Sequence, residues 1–142
     1  MIIADTNVVS EFMRDRPDEV AVAWAQGIAP DELTICVVTV EEIERGLARL
    51  PDGRCRRDLQ QRWRELRKAF EDSIVVYDVP AAETTGRLIA AAERFGRPMH
   101  LADAQIAGIC LATGSTLATR NVKHFAHLDD LAVLDPFNPI SR

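Results

Sequence analysis

Three acids far apart in the chain, Asp5, Glu42 and Asp103, each stand where an apolar run passes into a helical pattern. Met1-Ile2-Ile3-Ala4 leads into Asp5, Thr34-Ile35-Cys36-Val37-Val38 leads through Thr39-Val40-Glu41 to Glu42, and Leu101-Ala102 leads to Asp103. In an open parallel sheet covered by helices, ligands bind outside the carboxyl ends of the strands, so acids placed there converge whatever their sequence separation. Converging carboxylates repel one another, and a hard divalent cation with oxygen ligands relieves the repulsion. The expected chemistry is that of a metal held by carboxylates.

Each acid also has a purely structural reading. Thr39-Val40-Glu41-Glu42 matches a capping box, with Thr39 as cap and Glu42 reaching back. Asp103 near a helix start either caps that helix or favours its dipole, and Asp5 suits the cap of a short helix over Val8 to Met13. Asp78 follows the apolar run Ile74 to Tyr77, and Asp135 follows Leu131 to Leu134. Position alone therefore does not single out three acids.

The elements that must position them alternate. Ile2 to Ala4, Thr34 to Val38, Ile74 to Tyr77, Thr116 to Ala118 and Leu131 to Leu134 are short apolar runs suited to strands buried on both faces. Between them lie helical patterns over Glu19 to Ile28, Val40 to Leu50, Ala81 to Phe95 and Ala102 to Thr113, the last followed by Gly114. Leu59, Trp63, Leu66 and Phe70 are spaced four, three and four and make one apolar stripe. Pro51-Asp52-Gly53 supplies turn chemistry, so residues 40 to 72 are expected to fold as a helical hairpin. Such alternation predicts an α/β fold with a central parallel sheet and right-handed crossovers. No linker or repeat interrupts it, and 1–142 is expected to be a single domain.

Composition sets further bounds. Of 142 residues 47% are hydrophobic and 27% charged, an ordinary globular balance that excludes a wholly disordered chain. No apolar run has the length to cross a bilayer, and MIIADTNVV lacks the basic start of a signal peptide, so a cytoplasmic location is expected. Three cysteines without paired spacing argue against a disulfide framework or a zinc site. Cys36 and Cys110 sit among apolar neighbours, as small core hydrophobes do, while Cys55 sits among arginines. The net charge of −5 is uneven: Arg54 to Lys68 carries +5 and the remainder −10. That stripe is either a solvated helix face or a local surface for a phosphate backbone.

Local wording separates the three acids from the rest. The segments Asp5-Thr6-Asn7-Val8-Val9-Ser10-Glu11, Thr39-Val40-Glu41-Glu42-Ile43-Glu44-Arg45-Gly46, Asp103-Ala104-Gln105-Ile106-Ala107-Gly108 and Thr116-Leu117-Ala118-Thr119-Arg120-Asn121-Val122-Lys123-His124-Phe125 occur in that order. Together they resemble the PIN-domain family, in particular the VapC and FitB-like toxins of bacterial toxin–antitoxin pairs, from Ile2 to Pro136. The resemblance implies a single PIN-like domain with Asp5, Glu42 and Asp103 as metal-binding and catalytic acids. It also implies Thr119 and Asn121 at the rim of the site, Asn121 as a soft fourth position. Many relatives carry Asp where this chain has His124, which we do not count as a ligand. His100 and His127 have no spacing partner.

Activity and partners follow from the same resemblance. It implies an endoribonuclease using Mg²⁺ or Mn²⁺, a cognate antitoxin whose tail lies over the cleft, and a homodimer that also joins the antitoxin in a hetero-oligomer. Phe12, Trp24 and Ile28 offer surfaces for the homodimer, and each equally suits the core. Three carboxylates against one divalent ion favour one resident metal and a second that arrives with substrate. Arg54, Arg56, Arg57, Arg120 and Lys123 are the candidate phosphate contacts, and Trp63 is assigned to the core. Two other classes remain at this point: a receiver-like phosphoacceptor domain, which also sets acids at strand ends, and a non-catalytic binding module using the same cleft.

Overall fold

Short runs whose successive side chains face opposite ways build the centre of the molecule. The computed structural model describes residues 1–139, so residues 140–142 of the expected domain lie outside the described ones. Strand β1 (Ile2–Ala4) pairs in parallel with β2 (Leu33–Thr34) on one side and β3 (Thr116–Ala118) on the other, and β4 (Val133–Leu134) pairs in parallel with β3. The order β2-β1-β3-β4 makes the chain leave β1 toward one edge and return on its other side. The boundary between β1 and β3 is thus a topological switch point, where an α/β sheet opens a crevice at its carboxyl ends.

Alternation along β1 divides the core in two. Ile3 packs with Ile106, Ile109, Leu117 and Phe125, whereas Ala4 packs with Val8, Ile35, Ile43 and Trp63. Adjacent residues of a strand face opposite sides, and here both sides are buried. The first core lies under α5 (Val79–Arg94) and α6 (Leu101–Thr113); the second is covered by α1 (Thr6–Phe12), α3 (Val37–Ala48) and α4 (Arg54–Ala69). Helix α2 (Glu19–Gln26) follows α1 and is capped by Asp18, which accepts from the Ala21 amide at 2.9 Å. Helix α6 stops at Gly114, whose φ of 65° a side chain would strain.

The expected strand Thr34 to Val38 is shorter than its composition suggests, ending at Thr34. Beyond it, Cys36 makes one parallel bridge to Val75, and the Val37 amide donates to the Val75 carbonyl at 2.9 Å before the backbone turns helical. The run Ile74 to Tyr77 therefore contributes a single bridge instead of a strand, and of Leu131 to Leu134 only Val133 and Leu134 join the sheet. β-branched residues favour strands only weakly, and burial against both cores overrides that preference. Helix α3 begins three residues before the expected Val40, with Cys36 as its cap.

The helical hairpin over residues 40 to 72 is present and is fixed to the second core by Trp63, 2% exposed, whose indole N–H donates to Glu44 at 2.8 Å. Arg62 reaches the Met13 carbonyl at 2.8 Å and Asp15, which ties α4 to the end of α1. Cys36 and Cys110 are buried, and burial raises both thiol pKa values above the ordinary range. Cys55 is exposed. Among the described residues no helix is long and apolar enough to cross a membrane.

Candidate metal centre

Asp5 follows β1 and Thr119 follows β3, so parallel pairing of those strands sets the two side by side at the switch point. The Thr119 hydroxyl donates to Asp5 Oδ2 at 2.8 Å, and the Thr6 amide donates to Asp5 Oδ1 at 2.8 Å. Asn7 completes the frame: its Nδ2 donates to Asp5 Oδ2 at 3.2 Å and to Thr119 at 3.1 Å, and its Oδ1 accepts from the Arg120 amide at 3.0 Å. A carboxylate fixed by several donors keeps one orientation, as ligands of metal sites do.

Glu42 comes from α3. Because that helix starts at Val37, Thr39 lies inside it and Glu42 lies beyond its first turn, so the capping-box reading is corrected. Thr39 and Glu42 are three apart and share one face. Thr6 meets both, its hydroxyl 2.7 Å from Glu42 Oε1 and 3.2 Å from Thr39 Oγ1. One residue thus holds Asp5 by its amide and Glu42 by its side chain.

Asp103 occupies the first turn of α6, where His100 is the cap. Its Oδ2 lies 3.3 Å from His124 Nδ1, so the histidine that replaces a fourth acid turns onto the third one. Glu42, Asp103, Asn121 and His124 line one open groove of about 540 Å³. Asn121 donates its amide to Thr119 at 3.1 Å, while its side chain makes no cap bond to the short 3₁₀ turn Val122–His124 that follows.

Asp5 is 4% exposed, and burial raises its carboxyl pKa above the ordinary 3.8. Hydrogen bonds from Thr119 and Thr6 oppose that rise, and the charges of Asp103 and Glu42 add to it. Asp5 therefore feels the charges of both other acids across the site. Between 3.8 and its raised value, Asp5 binds more proton in the folded chain than in the unfolded one, so its contribution to stability is full below 3.8 and falls as pH rises through that window. In EDTA, urea midpoints of the parent relative to Asp5→Asn are expected to drop across the window, and saturating Mg²⁺ to reverse the drop. Parallel profiles in EDTA exclude a raised Asp5.

Among the described residues no three His, Cys, Asp or Glu side chains enclose an ion by themselves. The donor chemistry nonetheless fits magnesium, which keeps several waters and is held by one or two carboxylates together with substrate phosphate oxygens.

Two other acids that follow apolar runs have ordinary tasks. Asp78 caps α5 by accepting from the Ala81 amide at 3.1 Å, and Asp135 accepts from the Phe137 amide at 2.9 Å. Of the candidate phosphate contacts, Arg54 lies 3.9 Å from Asp58 and Arg56 2.7 Å from Asp52, both on α4 with the exposed Arg57. None of these three is among the described residues lining the acid groove. Arg120 is engaged elsewhere, with its guanidinium 4.2 Å from the Phe137 ring and 4.0 Å from the buried Glu11. Lys123 is exposed and lines the cavity next to Asp103. Thr6 and Asn7 are the site residues that sequence reasoning missed; their signal was three consecutive polar residues, Asp5 to Asn7, between buried Ala4 and buried Val8.

The PIN domain family model matches residues 2–131. The chain is 34% identical over 140 residues to VapC ribonuclease Y4jK of Sinorhizobium fredii, covering 98% of this chain and 97% of that one. It is 31% identical over 139 residues to Toxin FitB of Neisseria gonorrhoeae, covering 97% and 99%. The crystal structure of FitAcB from Neisseria gonorrhoeae superposes with a TM-score of 0.87 at 31% identity, over 96% of this chain and 99% of that one. VapBC2 from Rickettsia felis, bound to a promoter DNA fragment, shares the fold at 19% identity with a TM-score of 0.78. With its switch-point acids and this coverage, the chain belongs to the PIN domain family.

Proposed function

We propose that this chain is a metal-dependent endoribonuclease, the toxin of a toxin–antitoxin pair. The observation that carries the reading is the frame at the switch point in which Thr6, Asn7 and Thr119 hold Asp5 and Glu42 in fixed orientation, with the charge of Asp103 acting on Asp5. The names of its relatives, a VapC ribonuclease and the toxin FitB, support it.

Asp5, Glu42 and Asp103 would hold Mg²⁺ or Mn²⁺, with Asn121 facing the same groove. When bound, the ion supplies activation of water near neutral pH and relief of charge on the phosphate. Thr119 and Asn7 keep Asp5 oriented, and Thr6 sets Glu42 relative to Asp5. His124 Nδ1 lies 3.3 Å from Asp103 Oδ2, and both residues line the acid groove. RNA enters as an exposed single strand or loop, since side chains cannot read the deep major groove of the A-form helix. Arg54, Arg56, Arg57, Arg120 and Lys123 are retained as phosphate contacts, and Lys123 lines one cavity with Asp103.

A cognate antitoxin restrains the enzyme by laying a segment over the cleft. The apolar groove of about 320 Å³ between Thr6, Glu42, Ile43, Leu47 and Leu59 supports this, because it begins at Glu42. An arginine from that segment would complement the carboxylates. The toxin acts in the cytoplasm as a homodimer. Phe12, Trp24 and Ile28 are each half-buried.

The test is cleavage of a mixed RNA pool by the purified chain. Mg²⁺ or Mn²⁺ is expected to support cleavage, EDTA to abolish it, and restored metal to recover it. Cleavage that continues in EDTA sinks the metal-dependent reading.

A further inference from the structure

The groove that holds Glu42 and Asp103 has a neighbour of opposite sign. A cavity of about 340 Å³ is lined by Arg97, Lys123, His100 and His127 as well as by Asp103 and His124. His100, Asp103 and His124 line both spaces, so the two are contiguous. Asp103 is the one carboxylate among the described lining residues of the second cavity.

Its cations are uncommitted. Among the described residues neither Arg97 nor Lys123 forms an ion pair, whereas Arg54, Arg56 and Arg62 on α4 face Asp58, Asp52 and Asp15. Further donors collect at the same place. His127 Nε2 is buried without a hydrogen-bond partner among the described residues, and His100 begins α6 without a side-chain cap bond, leaving the first amides of that helix short of an acceptor.

Two free cations and unanswered donors around one acid suit an anion. A ligand that must also reach the acid groove through a metal carries a second negative group at a short, fixed separation. Successive phosphates of a nucleic-acid strand meet that requirement. We propose that this cavity is a subsite for the phosphodiester next to the scissile one on a single-stranded RNA, with Arg97 and Lys123 as its ion-pairing groups. The subsite rests on the ribonuclease reading and gives the strand its path: out of the acid groove past His124, and not first along α4.

The experiment measures binding in EDTA, so that it does not depend on cleavage. A short fluorescein-labelled single-stranded RNA of mixed sequence is titrated by anisotropy at several salt concentrations. The double variant Arg97→Ala/Lys123→Ala is expected to bind roughly tenfold more weakly, and the slope of log K against log salt to shrink by about 0.7, one phosphate contact on a single strand. The exchange Arg97→Lys/Lys123→Arg is expected to keep the parent slope. Arg49→Ala/Arg87→Ala removes the same charge from exposed positions outside both cavities and is expected to bind like the parent. Parent-like binding by Arg97→Ala/Lys123→Ala overturns the subsite, as does an equal loss in Arg49→Ala/Arg87→Ala, which would make the effect one of bulk charge. Loss of slope in the first double variant, with no cleavage by the parent in Mg²⁺, overturns the ribonuclease reading and leaves a cavity that binds single-stranded RNA.

Discussion

Asp103→Asn is expected to slow RNA cleavage by more than about a hundredfold while leaving the chain folded. Groups that only support a metal ligand already cost 10- to 100-fold when removed, and Asp103 is proposed as a ligand itself. The substitution keeps size and shape but takes one negative charge from a donor set of three. It removes no hydrogen bond from the start of α6, because among the described residues the Asp103 side chain accepts none there. Initial rates at saturating Mg²⁺ measure the effect, and calorimetric titration of the ion separates weaker metal binding from slower chemistry. Asp78→Asn is the matched comparison, since it alters an acid that also follows an apolar run but caps α5. If Asp103→Asn cuts within a few-fold of the parent, or Asp78→Asn loses as much, the assignment of the acids is wrong.

Gly108→Ala is expected to cost about 2 kcal/mol of stability, a fall in Tm of roughly 5–10 °C. Alanine would ordinarily strengthen a helix interior by up to about 1 kcal/mol. Here its Cβ would lie 2.0 Å from Thr85 Oγ1, 3.0 Å from the Ala81 carbonyl and 3.1 Å from Thr85 Cβ. Rotating the threonine hydroxyl away would break its 2.8 Å bond to the Ala81 carbonyl and still leave the backbone contact, so α5 and α6 must part. Since α6 also carries Asp103, cleavage should fall along with stability. Thr85→Ala in the same chain removes the nearest clash and is expected to recover part of the loss. A Gly108→Ala variant that melts at or above the parent temperature would show that the helices have slack.

Much of this was legible in the sequence because burial on both faces leaves a plain mark. Ile2 to Ala4 and Thr116 to Ala118 read as strands and are strands, and the hairpin turn at Pro51-Asp52-Gly53 fell where turn residues cluster. The middle of the chain misled for a physical reason. Ile35, Val37 and Val38 carry strand propensity, yet their neighbours demand a helix from Val37 onward, and that shift moved Glu42 from a cap partner to a mid-helix side chain. Motif order picked Asp5, Glu42 and Asp103 over Asp78 and Asp135; the structure adds the physical distinction, since the last two answer backbone amides. Thr6 and Asn7 were missed because their importance lies in bonds to residues over thirty and over a hundred positions away. Membership in the PIN domain family leaves the receiver-like alternative without support.

The bond between Thr119 and Asp5 joins residues 114 positions apart, and the strands beneath them pair across the same interval. Contacts of that span make for slow folding, because a long loop must close before they form. During translation at 5–20 residues per second, the amino-terminal acid waits on the order of ten seconds for its partner to be made. A growing chain therefore cannot close the frame around Asp5 until β3 has been made. On the proposed reading, competence would arrive only with the final portion of the polypeptide, and an inhibitor made nearby would have a head start.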